Sequence, residues 1–261
     1  MGAQQPMRDY PVRQSALARW SRRLALFGIA VAITGPLLAR MGAIEPFQGL
    51  VVVASGLICS GLALVLALLA YADIWRSGAT GLARANLGFL LSLATLAYPA
   101  AQVVNAFRLP VTNDVSTDLA DPPGFARSRT ALDGRRGYVP PEMPQQARDI
   151  QRAAYPDLAP VVLEMGPDEA FELVIEVVDK LKWRIVDRTP PSARTGSGRI
   201  DAVERTLLMN FSDDITIRLR ALPNETRIDI RSVSRVGKHD LGANAARIRR
   251  FTQELNALNR G

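Results

Sequence analysis

Three uncharged apolar stretches near the N-terminus constrain this chain more than any other feature. Arg23 and Arg40 bracket 16 uncharged residues (LALFGIAVAITGPLLA), Glu45 and Asp73 bracket 27, and Arg84 and Arg108 bracket 23. In hydrocarbon a backbone amide without a partner costs several kcal/mol, so such runs cross a bilayer as helices of about 20 residues. The second and third qualify by length alone. The first reaches the needed length if Arg40 snorkels to the interface or if the span begins nearer Trp20. The expected spans are 24–42, 47–72 and 86–107, with 1–23 as a basic N-terminal segment.

Flanking charge sets the expected orientation. Arg8, Arg13, Arg19, Arg22 and Arg23 precede the first run, and Arg76 and Arg84 separate the second from the third. The opposite side has only Arg40 and Arg108 close to the spans. Positive residues are retained in the cytoplasm, so the N-terminus is expected inside and everything after Arg108 outside, in an inner-membrane, multi-pass protein with a periplasmic or otherwise extracytoplasmic domain. SRRLAL at 21–26 also resembles a twin-arginine signal, and a cleaved first segment remains an alternative; both deliver the C-terminal part to the same side. Within the spans Gly56 and Ser60 form a small-x-x-x-small pair suited to close helix packing, and Pro36 and Pro99 permit kinks. The polar Asp73 and Asn105 fall near span ends, unlike the mid-membrane ionisable groups of a transport path.

The net charge of +7 invites a nucleic-acid reading, but its distribution argues against one. From Asn113 onward 23 Lys/Arg stand against 22 Asp/Glu, and the residues before it hold 9 against 3. A balanced C-terminal part offers no bulk basic signal for nucleic acid. One cysteine, Cys59, and one histidine, His239, exclude a Cys/His zinc site and a disulfide framework. No nucleophile elbow accompanies His239, so no catalytic residue, metal or cofactor is expected.

Residues 109–160 contain eight of the 17 prolines. This stretch is expected to be an extended strap without regular helix, with Phe125 and Tyr155 docking on the folded part. Residues 161–261 read as an α+β domain. PVVLEM is a strand; Pro167, Asp168 and Glu169 open a helix whose stripe is Phe171, Val174, Ile175, Val178 and Leu181. WRIVDR is a strand and PPSARTGSGR a loop. VERTLLMNF, ITIRLR and TRIDIRSVSRV alternate as strands, and a last helix starts at Asp240 with Leu241, Ala245, Ile248, Phe251 (or Thr252), Leu255 and Leu258 inward. The order is β-α-β-β-β-β-α, a mainly antiparallel sheet with two helices on one face. A turn at 212–214 would oppose Phe211 to Ile215, and a turn at Asn224–Glu225 would oppose Leu219 to Ile230 and Arg218 to Arg231. Opposed arginines need a carboxylate, an anion or solvent between them.

The motifs NDVSTDLADPPGF, FSDDITIRLR and SRVGKHDLGANAARIRRF resemble the domain of unknown function 1499 family over about 113–251. The resemblance implies a few membrane spans followed by this domain, and no established activity. It points to Ser116, Thr117, Asp213, Asp214, Arg231, Ser232, Ser234, Arg235, Gly237, Asp240, Gly242, Asn244 and Arg247. His239 stands where a small polar residue is expected, which speaks against a catalytic histidine. Two roles are open for these residues. Asp213, Asp214, Asp240 and Ser234 form a structural polar network; Arg231, Arg235, Asn244 and Arg247 either join it or bind an anionic or lipid ligand. The protein is thus expected to be a membrane-anchored envelope protein whose exported domain binds an envelope protein or an anionic or amphiphilic ligand. The alternatives are a hydrolase-like enzyme using Asp213 and Asp214, and a membrane scaffold.

Overall fold

A computed structural model describes residues 13–192 and 194–260; Arg8, counted above toward orientation, lies outside them. The described residues divide into two compact units, 13–102 with 208–210, and 103–207 with 211–260.

The first unit is built on α1 (Ala16–Arg40), α2 (Pro46–Ser77) and α3 (Leu82–Arg108), whose last residues belong to the second unit. All three are long and apolar enough to cross a membrane. α1 begins well before the expected span because Ser15 caps it, its hydroxyl accepting from the Ala18 amide at 3.4 Å, and Ala16 to Arg23 are good helix formers. The α1–α2 contact is made of small residues. A methyl group on Gly56 would lie 2.6 Å from both the Gly28 carbonyl and the Ala32 amide, so the backbones touch directly there. Ser21 donates to the Ala63 carbonyl at 2.9 Å in the same seam. Pro36 and Pro99 sit within α1 and α3.

The second unit is a six-stranded antiparallel sheet with three layers. Its strands are β1 (Asp114–Ser116), β2 (Val161–Leu163), β3 (Arg184–Thr189), β4 (Ser197–Arg205), β5 (Ser212–Leu222) and β6 (Glu225–Ser234). The order is β1-β6-β5-β4-β3, and β2 lies end to end with β1 on the free edge of β6. α6 (Pro167–Lys180) and α7 (Ala243–Leu258) cover one face, with Ile200, Ile215, Ile217, Leu219, Ile228 and Ile230 of the sheet meeting Phe171, Val174, Ile248 and Phe251. Residues 161–258 follow the expected β-α-β-β-β-β-α order.

Four expectations need correction. The strap contains α4 (Arg129–Gly134) and α5 (Gln145–Ala154) as well as β1. Its prolines fall outside these elements, Pro144 being the N-cap of α5, where a missing amide costs nothing. Only the first three residues of VERTLLMNF are strand: β4 ends at Arg205, and Thr206–Phe211 is a loop closed by the Thr206 amide on the Phe211 carbonyl at 2.9 Å. β4 instead occupies part of the expected loop, because both its faces are buried and its alternation of Ile200 and Ala202 with Asp201 and Val203 is hidden by polar residues. The β5–β6 turn is Pro223–Asn224, one residue earlier than expected, with Pro fixing the first φ and Asn224 taking φ 62°. Leu219 therefore opposes Ile228, Arg218 opposes Asp229, and Arg231 opposes Thr216. The slip is two residues, so every side chain keeps its predicted face. Finally, α7 starts at Ala243 after Gly242 at φ 77°, so Leu241 lies before the helix and is exposed rather than inward, and Asp240 caps the helix from upstream, its carboxylate accepting from the Gly242 and Asn244 amides at 2.8 and 2.9 Å.

Candidate functional site

Adjacent residues on a strand point to opposite faces, so Asp213 and Asp214 begin two separate polar clusters. On the helix face the Asp213 carboxylate accepts from Arg247 Nη2 at 2.5 Å. Arg247 also donates from Nε to Glu204, from Nη1 to Ser232 Oγ at 2.9 Å and from Nη1 to Asn244 Oδ1 at 2.5 Å. Asn244 Oδ1 accepts from Ser232 Oγ at 2.7 Å, and Nδ2 donates to Ser234 Oγ and to the Asn113 carbonyl, both at 3.0 Å. Arg250 closes the cluster on Glu204 at 2.6 Å. Asn244, Arg247, Ser232 and Asp213 are all buried. Each is placed where the apolar stripe of α7 or the inner face of a strand gives way to polar residues, so their partners are one another.

The strap forms the third layer, and its contact with the other sheet face is ionic. Arg231 is bound bidentately by Asp114 of β1, Nε to Oδ1 at 2.9 Å and Nη2 to Oδ2 at 2.6 Å. It also donates to the Pro141 and Pro123 carbonyls at 2.7 and 3.3 Å. Two guanidiniums lie over the Phe125 ring, Arg231 at 5.3 Å and Arg135 at 5.0 Å from its centroid. Arg135, fully buried at 0 % exposure, reaches Asp214 and Asp201, each at 3.1 Å. Asp201 also accepts from the Ala126 amide at 2.8 Å. Asp214 is shared with Arg235 at 2.7 and 2.8 Å, and Arg235 stacks on Tyr138 at 5.0 Å.

Farther along this face Arg220 and Arg227 are directly opposed, and Asp229 and the strap residue Asp118 separate them. Arg218 joins both carboxylates and Asp121. Opposed arginines do find carboxylates, as their repulsion requires, although the pair is not the one the sequence pointed to.

The titration behaviour follows from burial set against these partners. Burial pushes the Asp213 carboxyl above its ordinary value, and Arg247 does not fully offset it. Burial acts on Glu204 in the same sense, but the fields and hydrogen bonds of Arg247 and Arg250 outweigh it and hold Glu204 below the ordinary value. Asp118 is also held low: the Asp121 and Ala120 amides, Arg220 and Arg227 overcome its desolvation.

Of the residues singled out in the sequence, Asp213, Ser234, Asn244 and Arg247 come together on the helix side, with Asp240 capping beside them. Asp214, Arg235 and Arg231 lie on the strap side. The two aspartates cannot converge on one reacting atom. His239 Nε2 contacts the Ala106 carbonyl at 3.0 Å, and its Nδ1 accepts from the Leu241 amide at 3.0 Å. Sequence reasoning missed Asp114, Arg135, Asp201 and Gln151. Gln151 of α5 exchanges hydrogen bonds with the Ser116 amide and carbonyl at 2.9 and 2.6 Å. Treating the strap as separate from the sheet hid Asp114, Arg135 and Gln151, although their polar character among prolines was a signal, and Asp201 was hidden with the rest of β4. Among the described residues no group of three or more His, Cys, Asp or Glu side chains is placed to hold a metal ion.

Ion pairs of Asp114 with Arg231 and of Asp118 with Arg218, Arg220 and Arg227 join the NDVSTD stretch of the strap to β5 and β6. No curated protein matches the chain. The family described as "Protein of unknown function (DUF1499)" matches residues 114–255, more than half of the chain and nearly all of the strap and sheet, and the chain belongs to that family.

Proposed function

We propose that this is a membrane-anchored envelope protein with its N-terminus in the cytoplasm and a non-enzymatic binding module outside. What supports the reading is the use made of the polar residues in the family motifs. Arg231, Asn244, Arg247, Asp213 and Asp214 are all buried and bonded to one another or to the strap. Reactive side chains would have to meet a substrate; these fix a strap across a sheet and give the domain one rigid outer surface. The envelope partner or anionic ligand then meets that preorganised surface, at low ordering cost. The hydrolase reading loses its support, since Asp213 and Asp214 face opposite sides of β5.

The charge bias around the spans supports the orientation. A reporter enzyme active only outside the cytoplasm, fused after Gly261, is expected to be active; activity of a cytoplasm-only reporter at the same position would overturn the placement. Purified full-length chain carrying both Asp213→Asn and Asp214→Asn is expected to lose thermal stability. A hydrolytic activity present in the native chain and lost in this variant at unchanged melting temperature would overturn the non-enzymatic reading.

A further inference from the structure

One corner of the strap-side sheet face gathers guanidinium groups beyond what its carboxylates neutralise. Arg184 of β3 opposes Val203, which opposes Asp214, while Arg205 opposes Ser212 one row nearer the sheet end. Arg184, Val203, Arg205 and Asp214 thus share a face, and Arg235 enters it from beyond β6 to bind Asp214. The turn after α4 brings a further guanidinium into the corner. Arg184 Nη2 donates to the Gly134 carbonyl at 2.8 Å and Arg235 Nη1 to the Arg135 carbonyl at 3.1 Å, so both guanidiniums dock on consecutive peptides. Arg136 follows at φ 57°, a left-handed conformation that a side chain with a Cβ adopts only at some cost.

The carboxylates that these groups engage are Asp214 and Asp201, and Asp214 is already shared by Arg135 and Arg235. Arg136, Arg184 and Arg205 are exposed and pair with no carboxylate among the described residues. Their mutual repulsion is felt: burial and the charges of Arg205, Arg235 and Arg136 push the Arg184 pKa down, against a smaller opposing pull from Asp214. Like charges held together on rigid strands and a fixed turn are destabilising unless an anion completes them.

We propose that Arg136, Arg184 and Arg205 form a binding site for a phosphate group, with Arg235 as its fixed wall. Guanidiniums presented from two strands and a turn match the oxygens of a phosphate bidentately, which lysines in the same places would not. The three arginines are exposed, so the site admits a phosphate carried on an amphiphile as well as a free one. The proposal names the ligand chemistry of the binding module put forward above and rests on that reading.

The test uses the full chain in nanodiscs and reads hydrogen exchange in the peptides covering 134–138 and 203–207. One arm is phosphatidylcholine discs with and without millimolar inorganic phosphate. The other is phosphate-free discs containing about one third phosphatidylglycerol. Protection with inorganic phosphate identifies a free-phosphate site, and protection only in the anionic discs identifies a lipid headgroup. Arg205→Gln should weaken the protecting interaction about tenfold, the worth of one charge-assisted contact, and the triple change of Arg136, Arg184 and Arg205 to Gln should abolish it. Raising the salt from 50 to 500 mM should weaken it as well.

No protection in either arm, or protection that survives Arg205→Gln undiminished, would overturn the site. Arg205→Gln alone decides the matter if the triple variant fails to fold, since among the described residues the Arg205 side chain makes no hydrogen bond or ion pair that the change would remove. If the reporter fused after Gly261 still reads outside, such a failure removes the ligand and leaves the anchored module standing. A reporter that reads inside leaves the phosphate result unaffected.

Discussion

Removing Arg231 separates a structural from a ligand-binding role in a single measurement. Its side chain is 3 % exposed and that of Asp114 6 %, so Arg231→Met strands a carboxylate in the interior and leaves the Pro123 and Pro141 carbonyls without their donor. Breaking a buried pair by deleting one partner costs about 3–5 kcal/mol. For a domain of roughly 150 residues each kcal/mol moves the midpoint by about 2–4 °C, giving a fall of about 6–20 °C. Adding Asp114→Asn to Arg231→Met removes the stranded charge and should return about 1–2 kcal/mol of that loss, since the two proline carbonyls stay unsatisfied. Calorimetry on the full chain in nanodiscs gives the midpoint, and hydrogen exchange over 114–141 reports whether the strap has come away. A midpoint shift below about 3 °C for Arg231→Met, with the strap still protected, would refute the reasoning and return Arg231 to the pool of available ligand contacts. So would a double variant that falls further than the single one.

Other outcomes follow from the same geometry. Glu204, held low, contributes stability that is present above the ordinary carboxylate value and lost as pH falls through its lowered value; Asp213, held high, contributes stability present at low pH and lost as pH rises through its raised value. Glu204→Gln should therefore be less stable near pH 7 and show a shallower loss between about pH 5 and pH 3, measured by denaturant unfolding at each pH. Phe251→Ala removes a fully buried ring stacked on Trp183 at 5.8 Å and should cost about 3–5 kcal/mol, with a change in Trp183 fluorescence. Gly56→Val puts side-chain atoms where the Gly28 carbonyl and Ala32 amide already lie. It should cost about 1–3 kcal/mol of hairpin stability, seen as a lower aggregation temperature in detergent.

The parts of the molecule that were legible in the sequence are those governed by one periodicity at a time. The spans announce themselves because a bilayer demands an uninterrupted apolar run, and α6 because its stripe and its Pro167, Asp168, Glu169 start agree. β5 and β6 were legible by face because one side of each is apolar. Their register was not, since a slip of two residues leaves the faces unchanged and only the Pro223–Asn224 turn chemistry decides it. β4 was the hardest: the buried Asp201 and the half-buried Glu204 sit on opposite faces, so neither face reads as the core, while Leu207 and Met209 imitate a strand in a loop. The polar network was half legible. Arg235 with Asp214, and Asp240, Asn244 and Arg247 on one side of α7, follow from spacing, but Arg135, Asp201 and Asp114 pair across 66 to 117 residues, a distance that no local pattern records.

An ionic strap–sheet layer also explains why so much charge is buried where apolar residues would give comparable stability. A strap held by aliphatic side chains could shift by two residues along β6 and bury nearly the same area. A strap held by Asp114 on Arg231, by Asp118 on Arg220 and Arg227, and by Arg135 on Asp201 and Asp214 cannot, because any shift leaves several charges unpaired in the interior, each at a cost of a few kcal/mol. Buried pairs here select one register. The same register presents Gly134 and Arg135 to Arg184 and Arg235, so the exposed arginine corner exists only when the strap is seated. Arg135→Met should therefore disorder residues 126–143 and loosen the corner together, whereas Arg205→Gln should leave the strap's exchange unchanged. If Arg135→Met left the exchange of Arg184 and its neighbours as it was, strap and corner would be independent, and the ionic layer would be packing alone.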